Sequence, residues 1–366
     1  MALKFPTGFE SILEKIDQVD PLQYGRTRNY VDGAITGLSP YISRGVISTR
    51  QVLERVMEKG YTLPEISSFV KELCWRDYFQ RLGQVKDLNQ DIKQPQQPVL
   101  NDGIPSQILQ AATGIKGIDN AIAQLYDSGY MHNHCRMYTA SLVCNIAKCH
   151  WYHPAQWMYY HLLDGDWASN ACSWQWVAGA NSHKKYYANQ ENINKYTHTS
   201  QQNTYLDDSY AAIEAMETPD QLLVTQKFIP GIELPVSAAI QLNARLPTFI
   251  YNYYNLDPLW HQHEAGNRIL LIDPDFFSAY PVSKKCIEFM LALSKNIPGL
   301  QVYRGSFEAF LKQYNVSDIY YKEHPLNVGY TGTMDARDWI APEVFGYHPS
   351  FFAYWKKVEK YLYKNY

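Results

Sequence analysis

At 366 residues the chain is long for one hydrophobic core, and two domains are the natural expectation. A hydrophobic fraction of 46% against 19% charged residues excludes a disordered chain. No apolar run approaches a membrane span, so a cytoplasmic protein with no membrane partner is expected.

The net charge of −3 argues against a non-specific nucleic-acid binder. Residues 1–200 hold 19 Lys and Arg against 18 Asp and Glu, and the remainder 14 against 18. A DNA surface, if present, is therefore expected as a local patch on the first half. The opening MALKFPTGFESILEKID lacks the apolar core of a signal peptide. The 30 Tyr and 9 Trp suit stacking surfaces and large cores equally. Six cysteines without a CxxC pair read as free thiols in a reducing compartment. Cys144, Cys149, His150 and His153 suggest a metal, but five residues of helix turn through about 140°, so the two thiols face apart and no metal is expected.

In chain order, the signals to about residue 190 are helical. In SPYISRGVISTRQVLERVMEKG, Ser48 with Gln51 makes a capping box; Val52, Leu53 and Val56 give an apolar stripe, and Gly60 follows the end. A second helix runs from Pro64 through EISSFVKELCWRDYFQRLGQ, and QPQQPVLNDG at 94–103 reads as a surface loop. Helices follow over 118–128, 131–151 and 154–163. Residues 201–240 are polar and turn-rich, a linker. Beyond them, strands at 248–254, 268–273, 300–305 and 318–324 alternate with helices at 281–297 and 306–314. That alternation predicts a small α/β unit with a parallel, Rossmann-like sheet, but no GxGxxG accompanies it. The expected organisation is a helical domain over 1–200, a linker over 201–240 and a small α/β domain over 241–366.

Three helical stretches share one spacing. Glu72, Trp75 and Arg76; Asn133, Arg136 and Met137; and Asp166, Asn170 and Trp174 each fall on one helix face. Each face mixes polar groups with a large side chain where a packing face would be uniformly apolar. Buried polar groups need partners, so the three faces point to a flat, hydrogen-bonding, phosphate-bearing ligand. The turn Ile35-Thr36-Gly37-Leu38-Ser39 precedes Pro40, with Ser39 as N-cap and Pro40 at N1. Its hydroxyls and free N–H groups suit an anion. Plainer readings stand beside these. Trp151, Trp157, Trp174 and Trp176 serve equally as core aromatics, Glu72 with Arg76 as a solvated i, i+4 pair, and Asp164 and Asp166 as helix caps.

The blocks LSPYISRGVIS, ELCWRDYF, GYMHNHCRMYTASL and LLDGDWASNACSWQWVAG, in that order over residues 20–200, resemble the flavin-binding helical domain of the photolyase/cryptochrome family. The resemblance implies FAD as cofactor, held by Tyr24, the turn Ile35, Thr36, Gly37, Leu38 and Ser39, and by Arg76, Arg136, Asp164, Gly165, Asp166 and Asn170. Gly37 stands where many relatives have Arg. It further implies a pocket for a flipped pyrimidine dimer of UV-damaged DNA, lined by Glu72, Trp75, Asn133, Met137 and Trp176, with Glu72 and Asn133 catalytic. Asn133 and Met137 stand where the (6-4) branch has His, which disfavours that chemistry. Asn170 matches the residue facing flavin N5. Trp174 and Trp151 match the proximal and middle members of a photoreduction chain, whose distal position falls at or near Pro98. The C-terminal α/β unit resembles the family's antenna domain in reversed order, and leaves open whether an antenna chromophore binds there. The implied function is light-driven splitting of cyclobutane pyrimidine dimers by a monomeric, FAD-dependent lyase. The alternatives are a cryptochrome-like blue-light photoreceptor without repair activity and a partner-binding module without FAD.

Overall fold

The computed structural model describes residues 5–237, 239–314, 316 and 318–366, so the first four residues of the opening segment lie outside the described residues. The first half holds α1 (Phe9–Asp17), α2 (Pro21–Thr27), α3 (Ser39–Ser43), α4 (Thr49–Met57), α5 (Ser67–Gly83) and α6 (Ser106–Leu109). It continues with α7 (Lys116–Ser128), α8 (Asn133–Ser141), α9 (Tyr152–His161), α10 (Trp167–Ala178) and α11 (Gln190–Thr197). Then come α12 (Tyr210–Ala215), α13 (Pro274–Ala279), α14 (Lys284–Ser294), α15 (Phe307–Tyr314) and α16 (Phe351–Asn365). Short strands β1 (Ile104–Pro105) and β2 (Thr225–Gln226) pair antiparallel. Strands β3 (Thr248–Tyr251), β4 (Asn267–Ile272), β5 (Leu300–Arg304), β6 (Ile319–Lys322) and β7 (Thr333–Asp335) form one parallel sheet in the order β5-β4-β3-β6-β7.

Chain contacts group the molecule into two compact units, neither of them one continuous stretch. One comprises Leu22–Ile35 and Lys86–Pro230; the other comprises residues 5–21, Thr36–Val85 and Gly231–Tyr366. The expected cuts at 200 and 240 describe order along the chain; the contacts follow packing instead. Helix α5 buries Phe69, Val70 and Leu73 and packs on α4 and α16, which draws it into the unit that holds the parallel sheet.

In that second unit, α4 forms as its sequence dictates. The Ser48 side chain accepts from Gln51 N while the Gln51 side chain accepts from Ser48 N, and Val52, Leu53 and Val56 are fully buried. Each such side chain contributes roughly 1.5–3 kcal/mol when buried. Strands β3 and β4 read as near-continuous apolar runs because both faces are covered. Ile250, Ile269, Leu271, Tyr303, Phe307, Phe310, Ile319 and Tyr321 form one core cluster.

Several elements differ from expectation. The turn before Ser67 is irregular, so α5 starts three residues after Pro64. The helix expected over 131–151 stops short: α8 widens into a π-type turn over Leu142–Ile146, and Lys148 at φ 54° reverses the chain. Trp151 therefore precedes α9 as its N-cap residue. Ser39 is the first helical residue of α3 rather than its cap; Leu38 caps the helix and Thr36 Oγ1 accepts from Leu38 N at 3.2 Å. Helices α13 and α16 and strand β7 are additions. All six cysteines are free and buried, and among the described residues no group of three or more His, Cys, Asp or Glu is placed to hold a metal. Among those residues no helix is long and apolar enough to cross a membrane.

Asp77 ties this unit together. Its carboxylate accepts from Thr49 Oγ1 at 2.8 Å and from Ile340 N at 3.1 Å. Burial pushes its pKa up from 3.8 to about 6, against those hydrogen bonds and the nearby Arg337 and Arg81. A folded-state value above the unfolded one means that the native state holds the proton longer. The resulting stability is full below pH 4 and is lost as pH rises through 6. The loss amounts to about 3 kcal/mol. Asp77→Asn should remove this slope, so urea midpoints of wild type and variant should diverge between pH 4 and 6. Parallel profiles across that window would show that Asp77 does not titrate there.

Candidate functional site

In the first unit, α8 and α10 carry two of the mixed faces. Helix α8 starts where the His132 imidazole accepts from His134 N at 3.2 Å. Burial pushes the pKa of both histidines down to about 4, so His132 is the neutral acceptor this cap requires. Asn133 is exposed at the first helical position and Met137 is half-buried one turn on. Between them Arg136 donates from Nε to Met131 O at 2.8 Å and from Nη2 to both Asp164 oxygens at 3.0 and 2.8 Å. The side chains are 22% and 4% exposed, so this pair is largely removed from water.

Asp164 and Asp166 flank a turn that only glycine fits. A Cβ on Gly165 would lie 2.9 Å from Leu162 O and 3.0 Å from Tyr159 O. Asp166 is the N-cap of α10 and accepts from Ser169 N at 2.7 Å, so it has the capping role as well. Asn170 Nδ2 donates to Ala155 O at 2.8 Å, which fixes the carboxamide and leaves its oxygen as the available acceptor. The Ser169 hydroxyl is buried without a hydrogen-bond partner among the described residues. One turn further, Trp174 is buried, whereas Trp176 is 39% exposed with its ring 5.8 Å from that of Tyr186. Trp151 is fully buried, and its indole N–H donates to Asp91 Oδ1 at 2.6 Å. Pro98 lies in the loop that follows Asp91.

The second unit carries the third face, on α5. Glu72, Trp75 and Arg76 are all half-buried, and Arg76 donates to Ser43 Oγ at 2.9 Å. Trp75 is stacked on Phe351 of α16, with centroids 3.8 Å apart and planes 10° from parallel. One ring face is thereby covered, and the rings of Phe79 and Tyr78 lie 5.2 and 5.8 Å from the same indole. Thr36 to Ser39 belong to this unit, with Gly37 at φ 63°, a left-handed conformation that suits glycine. Tyr24 and Ile35 belong to the first unit.

Asp91, Phe351 and Ser43 are partners that sequence reasoning missed. Asp91 lies 60 residues from Trp151 and Ser43 lies 33 from Arg76, beyond the reach of any local pattern. Phe351 had a readable signal, the apolar period of α16.

Residues 69–215 match the family model of the FAD binding domain of DNA photolyase. That stretch is similar to the FAD-binding domain of DNA photolyases. It contains α8 and α10 with their mixed faces and most of α5, but not the turn at 35–39, which rests on the sequence resemblance alone. The chain is similar to the deoxyribodipyrimidine photo-lyase of Streptomyces griseus, 32% identical over 165 residues, covering 42% of this chain and 36% of that protein. The corresponding Vibrio cholerae protein is 31% identical over 153 residues, covering 39% and 32%. The chain thus spans about a third of the length of these relatives. Among solved structures it is similar to a Synechocystis cryptochrome, with a TM-score of 0.48 and 23% identity over 53% of this chain and 44% of that one.

Proposed function

We propose that this protein binds FAD and uses light to split cyclobutane pyrimidine dimers in UV-damaged DNA, as a monomeric cytoplasmic lyase. The observation that carries the reading is the match of residues 69–215 to the photolyase FAD-binding model. In this reading residues 1–200 supply the flavin function, 201–240 link, and 241–366 form a small α/β domain.

The residues suit the cofactor. An isoalloxazine edge offers N–H donors and carbonyl acceptors, and Asp166, the Asn170 oxygen and the unpaired Ser169 hydroxyl answer both. Arg136 and Asp164 hold the neighbouring backbone in place, and Tyr24, the 35–39 turn and Arg76 serve the remaining parts of FAD. Bound FAD supplies the light absorption and the electron that opens the cyclobutane ring and is then returned. The protein's own residues receive the lesion. The resemblance assigns Trp75 and Trp176 to the flipped bases as aromatic contacts and Met137 as an apolar one. Glu72 and Asn133 hydrogen-bond the base edges and stabilise the negative charge that develops there.

The purified protein should be yellow, releasing about one FAD per chain on heating. When reduced, it should restore thymine dimers in an oligonucleotide under blue light. Glu72→Ala should weaken dimer binding roughly tenfold to a hundredfold, the equivalent of one charge-assisted hydrogen bond, with FAD content unchanged. A colourless protein that cannot be reconstituted would sink the reading. FAD binding without repair would assign a cryptochrome-like photoreceptor instead.

A further inference from the structure

We propose that the outer face of α16 binds the single-stranded DNA flanking the lesion, an inference that rests on the function proposed above. This helix lies outside the segment matched to the photolyase family model. Its inner face buries Phe351, Tyr354, Trp355, Val358 and Leu362, which fixes its orientation in the unit. At about 100° per residue, Phe352, Lys356, Lys360 and Tyr363 then fall within about 80° on the opposite side, flanked by Lys357 and Lys364. All six are exposed, the two rings by 70% and 60%.

Three properties of this face suit a nucleic-acid strand. The helix carries four lysines against one glutamate, in a chain whose net charge is −3. None of these lysines makes an ion pair among the described residues, and Lys356, Lys360 and Lys364 stack like charges at i, i+4, which weakens the helix they sit on. The helix dipole favours Lys364 in the last turn but leaves Lys356, in mid-helix, unexplained. Successive lysines are about 6 Å apart along the axis, a spacing comparable to the phosphate repeat of an extended strand. Phe352 and Tyr363 add exposed aromatic faces among these charges. Bases reach such faces only when unstacked, which favours a single strand over a duplex.

The position on the fold supports the same partner. The Phe352 ring lies 5.5 Å from that of Phe351, and Phe351 is stacked on Trp75, the residue assigned to the lesion. The basic stripe therefore begins next to Trp75 and runs away from it along the surface. Charge counting by halves conceals it, because this half as a whole is acidic.

The test is binding of a fluorescein-labelled oligo-dT, without lesion and in the dark, to the full-length protein, followed by anisotropy across a salt series. Lys356→Gln/Lys360→Gln/Lys364→Gln should lower the slope of log K against log salt by about 2 and weaken binding about a hundredfold at 0.1 M salt. Phe352→Ala should weaken it about fivefold to a hundredfold, and the triple Lys→Arg variant should bind as wild type does. Unchanged affinity and slope in the Gln variant would overturn the proposal. So would loss of binding to phosphatidylserine vesicles with oligo-dT binding intact, which would assign a membrane surface. FAD content and dimer repair are measured on the same samples. Repair by wild type with an unaltered oligo-dT slope in the Gln variant removes only the stripe. Stripe-dependent binding without repair removes only the assigned reaction.

Discussion

Arg136→Ala should lower the stability of the unit that carries α8 and α10 by about 3–5 kcal/mol, a shift of roughly 10 °C in its unfolding midpoint. The substitution deprives a buried carboxylate of its guanidinium. Asp164 is 4% exposed and receives two hydrogen bonds from one Arg136 nitrogen. Arg136 also holds Met131 O through Nε, so its loss loosens the entry to α8 as well. Most of the penalty comes from the buried charge that loses its guanidinium. Adding Asp164→Asn to Arg136→Ala should therefore recover at least about 1 kcal/mol, because a neutral amide costs less to bury than an ion. If the two residues also support the cofactor, FAD content should fall in both variants while the double variant regains stability. Calorimetry and released-flavin absorbance separate these effects. A midpoint in Arg136→Ala within about 2 °C of wild type would show that the pair is screened like a surface salt bridge.

The contrast between Ser48 and Asp91 shows what could be read in the sequence. The Ser48–Gln51 capping box is local chemistry over three residues, and it forms as written. The Asp166, Asn170 and Trp174 spacing is likewise a property of one helix, and α10 presents it. Arg136 and Asp164 lie 28 residues apart, and only the family resemblance suggested that they meet. No pattern linked Asp91 to Trp151 or Phe351 to Trp75, because these contacts depend on which elements pack together. Strand β7 had no signal either: Thr333, Met334 and Asp335 are a short edge strand without apolar alternation.

Helix α16 is a different case. Its apolar residues recur at helical spacing, and Ser350 caps it by accepting from Ala353 N at 3.2 Å. The signal was present but stands beyond the α/β alternation that organised the reading of this region. The position of Ser39 was missed for a third reason. A Ser-Pro pair starts a helix equally well as N-cap and N1 or one position later, and here Leu38 occupies the cap.

Trp174→Phe should abolish photoreduction of the bound, oxidised cofactor yet spare dimer repair when the protein is reduced chemically beforehand. In the proposed chain Trp174 gives up the first electron on illumination, and Trp151 refills it. Repair begins from the reduced state and needs neither indole. Trp174 is the cleaner probe of the two. Its indole N–H has no hydrogen-bond partner among the described residues, whereas Trp151 donates to Asp91, so Trp151→Phe would also unsettle a carboxylate worth about 1.5–3 kcal/mol. Beyond Trp151 the route lacks a tryptophan at Pro98. The ring in contact with Trp151 on the α9 side is Tyr152, half-buried with its centroid 5.5 Å away. Wild type should therefore photoreduce slowly, with a tryptophan radical visible by transient absorption, and Trp174→Phe should show no such radical. An unchanged photoreduction rate in Trp174→Phe would mean that electrons enter by another path, and the roles assigned to Trp174 and Trp151 would have to be given up while the repair reading stands.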